Sequence, residues 1–346
     1  MAKTMRAVIK SSKERGITVT EAPVPTIKND DEVLIKVHKR AICGTDLHIY
    51  QWNAWSQNRI KTPVILGHEF YGEIVEAGRN VHTYKVGDLV TAEMHVVCNQ
   101  CAMCRTGKAH LCEHVVILGV DGPGAFADYV VVPALNLWKV KPGIPEEYFA
   151  IYDPFGNAVH TVFEGDIPTK SVLITGAGPI GAMAAGIAKA AGASKVFVSE
   201  INDYRREMAG KMGADVLINP AKENLVEKVM DLTGGEGVDN ILEMSGAQPA
   251  LKDGLKVIKK AGNLVLLGIY NNDVTLDFNE AIIFKGITIK GINGRKMFDT
   301  WYRMDGLLQT GKIDLAPVIT HHFPMEEIEK GLLLMEEGKA GKVILS

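Results

Sequence analysis

Cys98, Cys101, Cys104 and Cys112 fall within fifteen residues, spaced C-x2-C-x2-C-x7-C, and the chain holds one further cysteine, Cys43. Thiolates this close repel one another unless a cation lies between them. A tetrahedral shell of four sulfurs suits Zn²⁺ or an iron–sulfur centre. The intervening residues (Asn99, Gln100, Ala102, Met103, Arg105, Thr106, Gly107, Lys108) are polar and loop-forming, as a metal-wrapped lobe requires. Two disulfides are the competing arrangement. No signal peptide precedes the first strand pattern, so an oxidising compartment is not expected and a structural metal is. Zinc is preferred to iron–sulfur because a second zinc-like constellation accompanies the lobe.

That constellation begins at Cys43, in Cys43-Gly-Thr-Asp-Leu-His48, and continues at His68-Glu69, in Gly67-His-Glu-Phe-Tyr71. Cysteine, histidine and a carboxylate are the donors of a catalytic zinc that keeps one position open. Gly72 stands where an H-E-x-x-H helix would need its second histidine, so the pair is not a zincin motif.

A third group is Gly176-Ala-Gly178-Pro-Ile180-Gly181, which is G-x-G-x-x-G. It follows an apolar run (171–175, SVLIT), opens an alanine-rich helix, and precedes an acid, Glu200, at the end of the next strand pattern. That context fits a dinucleotide site. Gly176 permits the tight turn, Gly178 lets the backbone approach the pyrophosphate, and Gly181 lets helix and strand pack. Glu200 can accept hydrogen bonds from ribose hydroxyls and would repel a 2′-phosphate, which favours NAD over NADP. Arg205 could tolerate that phosphate, stack on adenine, or pair with Glu200. Leu267, Gly268 and Ile269 end another parallel strand, where the nicotinamide half should lie, as do Ile292 and Asn293.

The elements that position these residues divide into two textures. Up to about residue 150 there are short strand patterns between Gly, Pro and Asp turns, such as 32–37 (EVLIKV) and 71–77 (YGEIVEA). They predict a β-barrel-like domain carrying metal sites on its connections. From about 155 strands and helices alternate, which predicts a parallel sheet covered on both faces. With 346 residues, 47% hydrophobic and 23% charged, about two domains are expected. Lys and Arg number 38 against 41 acids, a balance that argues against a nucleic-acid partner. No apolar run reaches the ~20 residues of a membrane span. A cytoplasmic enzyme is expected.

Taken in order, Cys43-x-Thr-Asp, Gly67-His-Glu, the cysteine quartet and the glycine turn resemble the zinc-dependent medium-chain alcohol dehydrogenases, over essentially the whole chain. The resemblance implies an α/β protein. A β-rich GroES-like catalytic domain would comprise residues 1–155 and 297–346, and a Rossmann doubly wound parallel-sheet domain binding NAD would comprise 156–296. It implies one structural zinc on the quartet and one catalytic zinc on Cys43, His68 and Glu69. Asp153 would lie beside the catalytic metal, as a ligand or, given its short reach, behind it. No cysteine remains to complete a Cys2His set, so the site would be rich in oxygen.

Four stretches, 41–50 (AICGTDLHIY), 52–57 (WNAWSQ), 153–161 (DPFGNAVHT) and 294–302 (GRKMFDTWY), resemble a threonine-oxidising branch of that family. The implied reaction is oxidation of the 3-hydroxyl of L-threonine to 2-amino-3-oxobutanoate. A polyol or another secondary alcohol is the alternative substrate. Thr45 and His48 are spaced to relay the released proton, hydroxyl first and imidazole second; local turn hydrogen bonding is the plainer alternative. Glu93 and His95 would hold the substrate's charged ends or form a solvated strand end. Trp52, Trp55 and Trp301 would close the pocket or belong to the core. A homotetramer is expected, with an apolar strand at 282–289 as one interface.

Overall fold

The computed structural model describes residues 3–346, which form two compact units. One runs to Asp153 and is completed by Ile319–Ser346; the other is Pro154–Val318.

The first unit is built on the strand Glu32–Ala41, whose alternating apolar residues bury Val33, Ile35 and Val37. It pairs antiparallel with Phe70–Ala77, with Tyr129–Pro133 and, at Arg40 and Ala41, with the terminal strand Lys342–Leu345. Leu89–Ala92, Leu137–Lys139 and Ile319–Phe323 extend this seven-stranded sheet. One apolar cluster packs Val33, Ile35, Ile74, Val90 and Val132. A second packs Ile42, Ile49, Phe126, Val343 and Leu345, with Ile328 and Leu332 of the helix Ile328–Glu336. The second cluster fixes the chain on both sides of Cys43, because Ile42 N–H donates to Val343 O at 2.9 Å.

The second unit is a six-stranded parallel sheet. Its order is Val216–Ile218, Lys195–Ser199, Ser171–Thr175, Val238–Glu243, Ile258–Leu266, Thr288–Gly291. Every pairing is parallel. All five residues of Ser171–Thr175 are buried, as a strand covered on both faces requires. The strand order reverses between Ser171–Thr175 and Val238–Glu243, and ligands of such sheets bind outside the carboxyl ends at that point.

Two sequence expectations need correction. The chain returns to the first unit at Ile319, whereas the sequence reading placed the change at 297. The helix Asp299–Gln309 packs on the helix that carries residues 154–163: the Arg303 guanidinium lies 5.1 Å from the Phe163 ring, and a Cβ on Gly156 would stand 3.3 Å from Met304 Sδ. Residues 282–289 are not one strand. A π-helical turn at Asn279–Ile283 comes first, Gly286 turns the chain at φ 61°, and only Thr288–Gly291 is extended. The apolar character was legible, but a glycine with positive φ divides the run.

Gly124 marks a close backbone approach near His68. A Cβ there would lie 2.2 Å from Gly67 O, 2.4 Å from Leu66 O and 2.6 Å from Gly119 Cα, all backbone atoms. Gly124→Ala is therefore expected to cost about 2 kcal/mol or more, read as a lowered midpoint in denaturant unfolding.

Candidate metal and dinucleotide sites

The four lobe sulfurs converge, all within 4.8 Å of one another, and the cysteines are free thiols. The chain wraps around them through Asn99 and Gly107, both in the left-handed region (φ 57° and 75°). Backbone N–H groups point at the sulfurs: Gln100 and Cys101 donate to Cys98 Sγ at 3.5 and 3.3 Å, and Cys98 and His114 each donate to Cys112 Sγ at 3.3 Å. The amides of Cys104 and Glu113 lower the Cys101 thiol to about 6, whereas burial and the neighbouring thiols push Cys104 up to about 12. Four sulfurs held this close cannot all ionise without a cation among them. The amide cradle is what bound thiolates require, so the donor set fits a tetrahedral metal.

Cys43 caps the helix Gly44–Gln51, and its N–H is held at 2.8 Å by the Asp46 carboxylate. His68 and Glu69 lead into the strand Phe70–Ala77, and Ala41 N–H donates to Glu69 O at 3.0 Å. The ligand atoms of Cys43, His68 and Glu69 all lie within 4.8 Å of one another. His68 and Glu69 are buried, and His68 Nδ1 has no hydrogen-bond partner among the described residues. Burial opposes charge on His68, yet Asp46, Cys43 and Asp153 together push it up to about 10. Asp46 is pushed up by its own burial. A closed pocket in which acids and a thiol crowd one imidazole calls for a cation, and these donors fit a divalent metal with an open position.

Lys342 was not singled out from the sequence. Its ammonium is buried and reaches Glu69 Oε1 at 2.8 Å, Glu69 Oε2 at 2.6 Å and Ile42 O at 2.7 Å. Its only sequence signal is a lone lysine opening the apolar strand Lys342–Leu345. Asp46 was also missed, although it sits inside Cys43-x-Thr-Asp.

The other expected residues are placed as follows. Asp153 is buried and acts electrostatically on His68, Glu69 and Lys342, but it stands outside the group whose donor atoms converge. Thr45 Oγ1 lies 3.8 Å from Cys43 Sγ. Thr45 and His48 are three apart on one helix, so they share a face. His48 makes its ring contact with Asn53 instead, Nδ1 to Nδ2 at 3.0 Å. Glu93 is fully buried and accepts from His95 N–H at 3.0 Å and His95 Nδ1 at 2.7 Å, so the pair is turned upon itself and is no solvated strand end. Trp301 is core, Trp52 lies 4.9 Å from the Lys10 ammonium, and Trp55 is exposed.

In the second unit Gly176 has φ 86°, and a Cβ there would meet Ser245 backbone at 2.8 Å. Gly178 caps the helix Pro179–Ala190 and faces open space, which leaves its backbone approachable. A Cβ on Gly181 would lie 2.0 Å from Gly176 O. Ile180 is half-buried within the first turn of that helix, whose free N–H groups suit a phosphate. Glu200 Oε2 accepts from Ala177 N–H at 2.8 Å and Oε1 from Asn202 N–H at 2.9 Å, so the acid braces the glycine turn. Arg206 donates to the Glu200 main-chain carbonyl at 3.0 Å and forms its ion pair with Asp203. Arg205 Nε is buried without a hydrogen-bond partner among the described residues.

Leu267 and Gly268 N–H both donate to Glu243 O, at 2.9 and 3.0 Å, and Ile269 projects into solvent at 89% exposure. Ile292 N–H donates to Leu266 O at 2.8 Å, and Asn293 is exposed. The sequence reading missed Glu243. Its buried carboxylate accepts from Ser245 N–H at 2.9 Å, Gly246 N–H at 3.0 Å and Tyr270 Oη at 2.9 Å, fixing the loops beside Gly176.

Comparison with known proteins places both units. Residues 29–142 match the alcohol dehydrogenase GroES-like domain, and residues 179–310 match the zinc-binding dehydrogenases. The chain is 51% identical to L-threonine 3-dehydrogenase of Caldanaerobacter subterraneus subsp. tengcongensis, across 99% of this chain and 98% of that one. It is also 51% identical to the L-threonine 3-dehydrogenase of Pyrococcus horikoshii, across 99% of both. Among solved structures, an Escherichia coli CFT073 alcohol dehydrogenase complexed with NADH superposes with a TM-score of 0.91 at 28% identity, covering 99% of each chain. The 2R,3R-butanediol dehydrogenase of Bacillus subtilis superposes at 0.88 with 28% identity and the same coverage.

Removing the Lys342 charge would leave a buried carboxylate alone. In metal-free protein Lys342→Met is expected to cost about 3–5 kcal/mol, and added zinc should recover part of the lost melting temperature by taking over Glu69. Calorimetry with and without zinc checks this.

Proposed function

The chain belongs to the zinc-binding alcohol dehydrogenase family with a GroES-like domain, and on that premise we propose that it oxidises the 3-hydroxyl of L-threonine to L-2-amino-3-oxobutanoate with NAD as acceptor. The observation that carries this reading is full-length identity of about half to relatives named for that reaction. The convergence of Cys43, His68 and Glu69 supports it.

Cys43, His68 and Glu69 would hold a catalytic zinc, and Cys98, Cys101, Cys104 and Cys112 a structural one. Zinc, when bound, supplies the Lewis acidity that makes a secondary alcohol ionisable near neutral pH. NAD supplies the hydride acceptor. Asp46, Glu69 and Asp153 bias the closed pocket toward positive charge. Asp153 does this from behind the donor set, in keeping with its short side chain. Thr45 and His48 carry the hydroxyl proton outward along one helix face. The glycine turn at Gly176, Gly178, Ile180 and Gly181 offers backbone N–H groups to the pyrophosphate. Glu200 has lone pairs left for the ribose hydroxyls, with Arg205 beside it. Leu267, Gly268, Ile269, Ile292 and Asn293 would flank the nicotinamide half at the carboxyl ends of the strands.

One oxygen of Glu93, Oε1, is engaged by His95. On this reading the first unit is the catalytic domain and the second the cofactor domain. The five free thiols suit a reducing compartment such as the cytoplasm. A homotetramer is supported by the exposed strand Thr288–Gly291 at the sheet edge and by Phe278, Ile283 and Phe284, exposed at 61, 60 and 64%.

The test is NADH formation from L-threonine and NAD by protein whose zinc has been counted. Turnover should vanish with a chelator, return with zinc, and exceed that of sorbitol and 2,3-butanediol by about two orders of magnitude in kcat/KM. Equal or better turnover of those alcohols would overturn the substrate. Light scattering should give four chains per particle, and a monomer would remove the edge strand from the account.

A further inference from the structure

The loop after the helix Gly44–Gln51 carries a device that none of the proposed roles uses. Trp52 ends that helix in the left-handed region (φ 55°), and the next residue, Asn53, caps the helix Ala54–Arg59. As the cap, Asn53 Oδ1 accepts from Ser56 N–H at 3.0 Å. A backbone N–H can only donate. The oxygen end of the amide is therefore identified by its partner, and the opposite end must be the NH2 group. That NH2 group stands 3.0 Å from His48 Nδ1. An amide NH2 cannot accept a hydrogen bond, so Nδ1 presents its lone pair and a neutral His48 carries its proton on Nε2. Ser56 Oγ also donates to His48 O at 2.8 Å, so one cap holds both the ring and the main chain of His48.

We propose that Asn53 is the positioning residue of His48, holding the Nε2–H tautomer so that Nδ1 can take a proton only when the Asn53 hydrogen bond opens. Neutral imidazole has one basic nitrogen, and here it faces a donor. In the relay this restricts the order of events. The alcohol proton passes through a hydroxyl to Nδ1 as the Asn53 contact breaks. The imidazolium then gives its Nδ1 proton to water, which leaves the ring as Nε2–H and lets the Asn53 contact re-form, so the net change is one proton released. The relay part rests on the dehydrogenase reading; the tautomer does not.

Although solvent reaches the ring, partial desolvation also lowers His48 below the ordinary histidine range. Charged groups on the neighbouring elements are committed elsewhere. Asp46 holds the Cys43 amide, Arg59 pairs with Asp121, Glu329 accepts from Tyr50, Glu336 accepts from Arg15 and Gln51, and Lys330 pairs with Glu327. Within this set the polar control of His48 comes from Asn53.

The experiment uses the zinc-loaded full chain with ¹⁵N-labelled histidine, the His48 signal being assigned by its loss in His48→Asn. The expected result is a protonated Nε2 and an unprotonated Nδ1 at neutral pH. Asn53→Asp keeps an acceptor for the cap but turns a carboxylate toward the ring. It should switch His48 to Nδ1–H and raise its titration midpoint by about one unit or more, carrying the acid limb of kcat upward with it. Asn53→Ser keeps a cap, withdraws the donor, and should raise the midpoint by less. A wild-type ring protonated on Nδ1, or a midpoint unmoved in Asn53→Asp of unchanged melting temperature, overturns the proposal. A midpoint that moves while the kcat profile stays fixed upholds the role of Asn53 and removes His48 from the proton path.

Discussion

The Lys342 ammonium is the point on which the metal pocket depends. It is buried, it holds both oxygens of Glu69, and its third contact is the carbonyl of Ile42, the residue before Cys43. Two of the three converging donors are thereby tied to the last strand of the chain. Such a pair adds little net stability over an apolar substitute, because both ions give up water. Its contribution is geometric. It fixes where Glu69 points in a pocket that otherwise gathers acids, and it makes that pocket form only when the carboxyl-terminal strand docks against Glu32–Ala41.

The surrounding electrostatics show the same imbalance in two chemical forms. In the lobe, neighbouring thiols are driven in opposite directions, Cys101 down and Cys104 up. In the pocket, a histidine is driven up by the acids and thiol beside it. Each place gathers donors that repel one another. A divalent ion relieves both, which is why the donors read as two metal centres and why the protein reads as a dehydrogenase whose chemistry needs one of them.

The dinucleotide unit is governed by close approach rather than charge. Gly181 abuts the Gly176 carbonyl, and Gly176 abuts Ser245. Glu200 and Glu243 then close on the backbone amides around those glycines. The acid proposed to meet the ribose therefore also braces the turn, so a change at Glu200 would alter the shape of the site as well as that contact.

Much of this was legible in the order of residues. Spacing in the quartet is local, since a chain that turns on Asn99 and Gly107 brings its sulfurs within 4.8 Å of one another. The glycine turn is local too, because strand, turn and helix follow without interruption. The alternation of buried strands and helices declared the parallel sheet. The sequence could not reveal partners far apart in the chain. Lys342 meets Glu69 across 273 positions, and nothing near either residue announces the other. Nor could it show that Glu93 is buried against His95, that Arg206 reaches the Glu200 main-chain carbonyl, or that residues 299–309 stay with the second unit. These depend on which surfaces come into contact, a property of the packed chain. Local spacing determined the kinds of site this protein carries; long-range burial decided which charges are paired, and so which groups remain free to act.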